Sequence, residues 1–389
     1  MRGVAILGST GSVGTQTLDV LAGLEDRFRV IGLAAGRNLT LLERQIDRFH
    51  PLLVCCERES DRSALGAAAA SYGARTADLV EIAAHPEVEI LVVASAGTAG
   101  LVATLVALES GKIVALANKE ILVIAGSELT AAAERGGGEL RPVDSEHSAI
   151  WQCLWGEQGT PKRLILTASG GAFRDRSIDD LRRVSPEEAL RHPTWQMGRK
   201  ITVDSATLLN KGLETIEARW LFGVPLPKIE VVLHRQSIVH SLVEFADGSV
   251  KAQLGYPDMR LPIQCALSYP ERLPLHSAPP LNLAQIGSLT FEAIDSERFP
   301  CLSLAMEAGR RGGAYPAVLV AADEVAVEHF LAGRMGFMEI PALLTAVLAE
   351  HRDAAAPDLD AILAAGAWAR AWAEDWVLAR EAPWSRTPA

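Results

Sequence analysis

The sequence predicts an α/β protein in three parts: an N-terminal doubly wound domain, a central α+β domain and a C-terminal four-helix bundle. Short apolar runs alternate with helical patterns as far as about residue 143, which is typical of a parallel sheet covered by helices. Apolar and polar residues then alternate in 230–257, as in antiparallel strands. Four helical stretches with short connections follow Phe299, which indicates a small bundle.

The length and the prolines suggest where these parts meet. The chain has 389 residues, which is too long for one hydrophobic core. Prolines cluster in 269–280, as in a linker. We therefore expect domains at 1–143, 144–268 and 299–389, with 269–298 as the connecting linker.

Composition excludes several classes of protein. The net charge of −11 argues against nucleic-acid binding as the main role, although a local basic pocket for a phosphate remains compatible with it. Five irregularly spaced cysteines do not form a disulfide framework or a zinc site, so we expect reduced thiols in the cytoplasm. We find no signal peptide pattern and no uninterrupted apolar run of 18 residues, so a membrane span is not expected.

A glycine-rich turn follows the first apolar run. Residues 3–7 read as a buried strand, 8–14 (GSTGSVG) as the turn and 15–24 as a helix. In this order, backbone amides can face a pyrophosphate and the glycines let it approach, as in a Rossmann-like dinucleotide site. The spacing is G-x-x-G-x-x-G rather than G-x-G-x-x-G, so a plain strand-to-helix turn remains an alternative.

The end of the second apolar run indicates which dinucleotide binds. An NAD site usually places an acid there to hold the ribose 2′-hydroxyl. This chain places Arg37 there, between Gly36 and Asn38, and the next acid is Glu43. Because a guanidinium suits a 2′-phosphate, the sequence favours NADP over NAD.

Two later strand ends carry ionisable groups. The strand KIVALAN ends at Asn118, Lys119 and Glu120, where ligands bind in parallel sheets, although an ordinary surface lysine is the alternative. Asp144 and Glu146 are two residues apart, so on an extended segment both carboxylates would point the same way. Such a pair favours a cation between them, and oxygen-only ligands suit Mg²⁺ or Mn²⁺. Two acids on a solvated loop are the alternative.

The stretch 192–214 is dense in cations, hydroxyls, an amide and carboxylates. Trp195 and Met197 lie between Pro193 and Gly198, which is typical of a mobile lid. The alternative is a loop followed by a helix with a charged face, in which Lys211 and Glu214 form a structural i,i+3 pair.

Three further features are less specific. Ser169 is followed by two glycines at a strand end, which suits an anion. His240 could cover a ligand, but a core histidine is an equal alternative. A stripe of tryptophans recurs every four residues near the C-terminus and indicates packing or an interface rather than chemistry, at Trp368, Trp372 and Trp376.

Taken together and in this order, these stretches resemble the 1-deoxy-D-xylulose 5-phosphate reductoisomerase family over nearly the whole chain. The resemblance is carried by GSTGSVGTQTL, AAGRN, LANKE, PVDSEHSAI, TASGGAF, HPTWQMGRKITVDSATLLNKGLE, LHRQSIVHS and GYPDMRLPIQ. It implies a homodimeric enzyme of isoprenoid biosynthesis with NADPH and one Mg²⁺ or Mn²⁺ per subunit. The substrate would be a small phosphorylated sugar, which is rearranged and reduced. The chain departs from residues common in the family at Val13 in the glycine turn and at Thr194 and Gln196 in the lid. None of these departures changes a charge, so we expect them to bear on the dynamics of the lid rather than on the activity.

The resemblance also assigns residues. NADPH would be held by Thr10, Gly11, Ser12, Val13, Gly36, Arg37, Asn38, Asn118, Glu120 and Gly198. The metal would be bound by Asp144, Glu146 and Glu214, which with Lys119 form the catalytic set. The substrate would be bound by Lys119, Ser145, Glu146, Ser169, His192, Trp195, Met197, Ser205, Asn210, Lys211 and Glu214.

Two other functions remain open at this stage. The first is another NADP-dependent dehydrogenase, such as one acting on a semialdehyde, which would need no metal. The second is a catalytically silent NADP-binding module, which would not need the acids Asp144, Glu146 and Glu214 together with Lys211. Turnover that depends on a metal would distinguish a reductoisomerase from both of these alternatives.

Overall fold

The structure is a computed structural model that describes residues 1–275, 279–352 and 357–380. Its strands are β1 Arg2–Leu7, β2 Phe28–Ala35, β3 Leu53–Cys56, β4 Arg75–Thr76, β5 Ile90–Val93, β6 Ile113–Leu116, β7 Glu139–Pro142, β8 Arg163–Ala168, β9 Ile229–Leu233, β10 Val239–Glu244 and β11 Val250–Leu254.

The helices follow the same chain order. They are α1 Ser12–Ala22, α2 Leu39–Phe49, α3 Glu59–Ala70, α4 Leu79–Ala84, α5 Leu101–Glu109, α6 Lys119–Gly136, α7 Ser145–Leu154, α8 Ile178–Leu181, α9 Pro186–Ala189, α10 Arg199–Thr207, α11 Leu209–Phe222, α12 Arg260–Ser268, α13 Leu283–Ile286, α14 Pro300–Arg311, α15 Tyr315–Leu331, α16 Glu339–Glu350 and α17 Leu359–Leu378. Within the described ranges, no helix is both long and apolar enough to span a membrane.

The chain forms two compact units. The first comprises residues 1–122, 126–157 and 258–281, and the second comprises 123–125, 158–257 and 282–389. The first unit is built on a parallel sheet of seven strands in the order β4-β3-β2-β1-β5-β6-β7. Its central strands are continuous apolar runs because helices cover both faces of such a sheet. The predicted doubly wound domain is confirmed, and α12 adds Ile263 and Leu267 to its core.

One local prediction in the first unit is wrong. Asp144 and Glu146 were expected on an extended segment, but only Asp144 lies outside a helix, as the N-cap of α7, and Glu146 lies in the first turn. The amide groups of a helix N-terminus favour nearby acids, which stabilises this arrangement. The two carboxylates therefore start from one helix end rather than from one side of a strand.

The second unit combines a small sheet with the predicted bundle. The sheet has the order β11-β10-β8-β9; β10 runs antiparallel to β8 and β11, whereas β9 pairs with β8 in parallel. The predicted strands in 230–257 are thus confirmed, and β10 and β11 are antiparallel as expected. The antiparallel prediction is wrong for β9, which pairs in parallel with β8. Helices α14–α17 form the predicted bundle, and α15 is buried on most of its faces because the other three pack around it.

Candidate active site

The glycine turn of the first unit lies where the strand order of the sheet reverses. Strand β1 has β2 on one side and β5 on the other, and ligands bind at such switch points in open α/β sheets. Gly8 has φ +90°, and a Cβ on Gly14 would lie 2.2 Å from the Gly8 carbonyl oxygen. Only glycines permit this tight turn. Thr10 is half-buried, and Gly11 and Ser12 are exposed at the start of α1.

A side chain from α2 braces this turn. The buried Ser9 hydroxyl donates to Gln45 Oε1 at 2.8 Å, and Gln45 Nε2 donates to the Ser9 carbonyl oxygen at 2.9 Å. Sequence reasoning missed Gln45, because a glutamine inside an amphipathic helix carries no signal of a partner 36 residues away. Gln45 therefore connects the glycine turn to the helix that begins after Arg37.

The other candidate cofactor residues surround the same edge of the sheet. The exposed Arg37 guanidinium lies 3.5 Å from the Glu57 carboxylate. Asn38 caps α2 by accepting from the Leu41 amide. Asn118 caps α6, and its Nδ2 donates to the carbonyl oxygens of Ser95 and Gly97 at 2.5 and 2.8 Å. Its side chain therefore shapes the crevice beside the turn. The remaining candidates in this unit are the half-buried Val13, Gly36 and Glu120.

The register of two neighbouring strands brings Lys119 to Asp144. Leu116 of β6 pairs with Pro142 of β7, and the two ionisable residues follow these strand ends directly. The Lys119 ammonium lies 2.5 Å from Asp144 Oδ2, and both side chains are largely buried. This pairing of groups 25 residues apart supports the site interpretation over that of an isolated surface lysine.

Glu146 and Ser145 extend this cluster at the start of α7. The Ser145 hydroxyl donates to Glu146 Oε2 at 2.6 Å. His147 is buried, and its Nδ1 lies 3.9 Å from Asp144 Oδ2. Hard divalent cations such as Mg²⁺ and Mn²⁺ prefer oxygen ligands, so the carboxylates of Asp144 and Glu146 fit such an ion.

In the second unit, the segment that follows β8 packs closely against α10. Gly171 has φ +63°, and a Cβ on it would lie 2.5 Å from the Ser205 carbonyl oxygen. Ser169 Oγ lies 3.0 Å from His192 Nε2. His192 Nδ1 accepts the backbone N–H groups of Thr194 and Trp195, so the ring donates to Ser169 through Nε2.

A bend at Leu208 separates α10 from α11. Leu208 is buried with φ +60°, a conformation that costs a residue with a side chain about 1–3 kcal/mol. It lets two polar helix ends meet, with Ser205 near the end of α10 and Asn210 and Lys211 at the start of α11. Strain of this kind is found at functional sites more often than in packing regions.

Glu214 is the common acceptor at the start of α11. Asn210 Nδ2 donates to Glu214 Oε1 at 2.5 Å, and Lys211 Nζ donates to Oε2 at 2.6 Å. The Glu214 and Lys211 side chains are only 1% and 7% exposed. The predicted i,i+3 pair is therefore present, but it is buried rather than on the helix surface. Burying both charges costs desolvation free energy, which favours a functional role over a purely structural one.

The same region is rich in positive charge. Burial, the Arg174 guanidinium and the Lys211 ammonium lower the pKa of His192 to about 4. Burial lowers the pKa of His240 to about 4 as well, with a smaller contribution from Lys211. Both rings are therefore neutral at neutral pH. Arg174, which also donates to the Ser169 carbonyl oxygen, was missed in the sequence, where its position just after the strand-end glycines was the available signal.

The predicted lid is an irregular segment without helix or strand at 191–198. Trp195 is half-buried, with its ring centroid 6.2 Å from that of His240, and Met197 is half-buried as well. Gly198 is the N-cap of α10. The second unit thus brings the lid, Ser169, His192 and the start of α11 together.

Comparisons with known proteins agree along the chain. Family models described as 1-deoxy-D-xylulose 5-phosphate reductoisomerase, its C-terminal domain and DXP reductoisomerase C-terminal domain match residues 4–126, 140–222 and 254–372. The reductoisomerase of Pelotomaculum thermopropionicum is 52% identical over 376 residues, which is 95% of this chain and 97% of that protein. That of Geobacillus kaustophilus is 52% identical over 379 residues, or 96% and 98% of the two chains.

Solved structures of reductoisomerases also match nearly the whole chain. The reductoisomerase from Zymomonas mobilis in complex with NADPH matches with a TM-score of 0.89 and 42% identity over 97% of this chain and 99% of that one. A DOX-P reductoisomerase in complex with NADPH, fosmidomycin and magnesium matches with a TM-score of 0.92 and 39% identity over 98% and 100%. The chain belongs to the 1-deoxy-D-xylulose 5-phosphate reductoisomerase family.

Proposed function

We propose that this chain converts 1-deoxy-D-xylulose 5-phosphate to 2-C-methyl-D-erythritol 4-phosphate in the non-mevalonate isoprenoid pathway, using NADPH and a divalent metal. Membership of the family supports the reaction. The observation that carries it is the cluster of Lys119, Asp144 and Glu146 at the same sheet edge as the glycine turn. An NADP-dependent aldehyde dehydrogenase, the first rival, has no need of such an oxygen-donor set.

For the cofactor, we propose that the turn amides around Thr10–Val13 hold the pyrophosphate, and that Arg37 holds the 2′-phosphate. Gly36, Asn38, Asn118, Glu120 and Gly198 would complete the site. NADPH supplies the hydride for the reductive step. The protein supplies the tight turn, braced by Gln45, which keeps the backbone donors in place before the cofactor arrives.

For the metal, we propose Asp144, Glu146 and Glu214 as ligands of one Mg²⁺ or Mn²⁺. Such an ion draws electron density from substrate oxygens and stabilises negative charge on them. Lys119 holds the Asp144 carboxylate in one orientation and adds a positive charge beside it. Lys211 and Asn210 do the same for Glu214. Each acid is thus oriented by a neighbour, which reduces the cost of ordering it on binding.

For the substrate phosphate, we propose Ser169, His192, Ser205, Asn210 and Lys211, with Lys119, Ser145 and Glu146 at the reacting end. Neutral His192 donates through Nε2, and Lys211 supplies the charge. Binding of the phosphate would draw the lid with Trp195 and Met197 over the substrate. Closure excludes water from the reactive intermediate, so the phosphate contributes to catalysis without reacting.

The direct test is NADPH oxidation by the purified protein with 1-deoxy-D-xylulose 5-phosphate. We expect turnover with Mg²⁺ or Mn²⁺ that disappears on addition of a chelator and returns when excess metal is added. Turnover of a semialdehyde that resists the chelator would favour the rival dehydrogenase. NADPH binding without any turnover would favour the silent module.

The choice of NADPH over NADH should depend on Arg37. Replacing Arg37 by alanine should raise KM for NADPH about tenfold or more and change KM for NADH little, because only NADPH carries the 2′-phosphate. Arg44→Ala, an exposed arginine on α2, is the matched control and should leave both values unchanged. Equal losses for the two cofactors would contradict the assignment.

We further propose a cytoplasmic homodimer, from the family resemblance and from the buried, irregularly spaced cysteines. Light scattering should then give a mass near twice 41.6 kDa. The proposed division of labour is cofactor binding in 1–143, catalysis and the lid in 144–268, a linker in 269–298 and a helical bundle in 299–389. Separate expression of 1–143 that still binds NADPH would support the first boundary.

A further inference from the structure

A buried charge cluster joins the helix after the lid to the C-terminal bundle. Lys200 lies in the first turn of α10, and its Nζ is 2.7 Å from Asp204 Oδ2 on the same helix. The same Nζ is 2.7 Å from Asp323 Oδ2 in the middle of α15. Asp323 is fully buried and Asp204 is nearly so, whereas Lys200 is partly exposed. None of these residues belongs to the proposed cofactor, metal or phosphate sets.

This cluster is expensive to build. Burying an ion pair costs desolvation free energy, which the attraction between the two charges can fail to offset. The Lys200–Asp204 pair alone would stabilise α10, as opposite charges at i,i+4 do. Asp323 is a second buried acid, and its buried neighbours Val320, Ala322 and Val325 on the same helix are apolar. A bundle built only for packing would have an apolar residue at position 323.

The position of Lys200 suggests what Asp323 does. At its N-terminal end the lid is held by His192, which contacts Ser169 and the backbone of Trp195. At its C-terminal end Lys200 comes two residues after Gly198 and is held by Asp323. The seven residues 193–199 between these anchors span at most about 25 Å, so a shift of either anchor moves Trp195 and Met197.

We propose that Asp323 is a positioning residue for the reductoisomerase reaction. Through Lys200 it fixes the start of α10 against the bundle, and so sets where the lid closes over the substrate phosphate. The bundle thereby contributes to catalysis without touching the substrate. This proposal rests on the proposed function, so wild-type turnover is measured first. An inactive wild type would count against the function, and the following comparisons apply to an active one.

The test compares Asp323→Asn with the wild type. We expect kcat/KM for 1-deoxy-D-xylulose 5-phosphate to fall about 10- to 100-fold, mainly through a higher KM for the sugar phosphate, because lid closure depends on its binding. The Kd for NADPH should stay within twofold. Glu374→Gln is the matched control, because Glu374 of α17 pairs at 2.7 Å with His329, which lies on α15 as Asp323 does. This variant should leave kcat/KM unchanged. Unchanged kinetics of Asp323→Asn, or an equal loss of NADPH affinity, would overturn the proposal.

A second pair of variants tests the connection and covers a poorly folding Asp323→Asn. Lys200→Gln should reproduce the rise in KM, whereas Lys200→Arg, which keeps the charge, should remain close to the wild type. The double variant with Asp323→Asn should be no worse than the poorer single variant, because both remove one link. Additive losses, or equal kinetics of Lys200→Gln and Lys200→Arg, would show that Asp323 does not act through Lys200.

Discussion

Replacing Glu214 by glutamine should lower kcat/KM for 1-deoxy-D-xylulose 5-phosphate on the order of 10²- to 10³-fold. The change keeps the shape of the side chain but removes the charge that we assign to metal binding. Asn210 and Lys211 donate to the two oxygens of this carboxylate. The change replaces one of these acceptor oxygens by an NH₂ group, which cannot accept. The largely buried Lys211 ammonium then loses the Glu214 charge beside it, so the change affects both the proposed metal site and the proposed phosphate site.

The Kd for NADPH should stay nearly unchanged in Glu214→Gln, because all but one of the proposed cofactor residues lie in the first unit. Isothermal titration with Mg²⁺ or Mn²⁺ should show weaker metal binding. Glu244→Gln is the matched control, since Glu244 also accepts from two cations, Lys162 and Arg163, in the small sheet. Full activity of the control and loss in Glu214→Gln are expected. Equal loss of NADPH and metal affinity would contradict the metal assignment.

Much of this fold could be predicted because the chain's local patterns agree with its tertiary structure. The strands of the first sheet are continuous apolar runs, and the glycine turn follows the first of them. Since parallel strands end at one edge, the sequence could also place Lys119 and Asp144 near the same crevice. The order of the motifs identified the family, and the assignment of the other site residues depends on that family.

What the sequence could not predict depends on contacts between distant residues. Gln45 and Ser9 are 36 residues apart, and Lys200 meets Asp323 across more than a hundred positions of the chain. Neither pair has a local pattern, because each forms only when two elements pack. The wrong prediction for Asp144 and Glu146 has a different cause. Their two-residue spacing was interpreted as that of an extended segment, whereas the chain starts α7 at Ser145, directly after Asp144.

The second prediction with a large expected effect concerns β6, which has a lysine beside each end. Lys112 precedes β6, and Lys119 follows its carboxyl end. Lys112 Nζ donates to the carbonyl oxygens of Ala83 and His85 at 2.7 and 2.6 Å, whereas Lys119 binds Asp144. Because ligands bind at the carboxyl edge of a parallel sheet, the two lysines should differ in function, although both ammonium groups are bound by protein oxygens.

Lys119→Met should therefore lower kcat on the order of 10²- to 10³-fold, because it removes the cation that we propose for the reacting end of the substrate and also removes the ammonium that orients the Asp144 carboxylate. Lys112→Met should leave kcat within about twofold and instead lower the free energy of unfolding by about 1–3 kcal/mol, since two carbonyl groups lose their donor. Steady-state kinetics and urea unfolding of both variants make the comparison. If Lys119→Met lost only stability, as expected for Lys112→Met, then Lys119 would be a structural lysine and the assignment of the crevice would have to change.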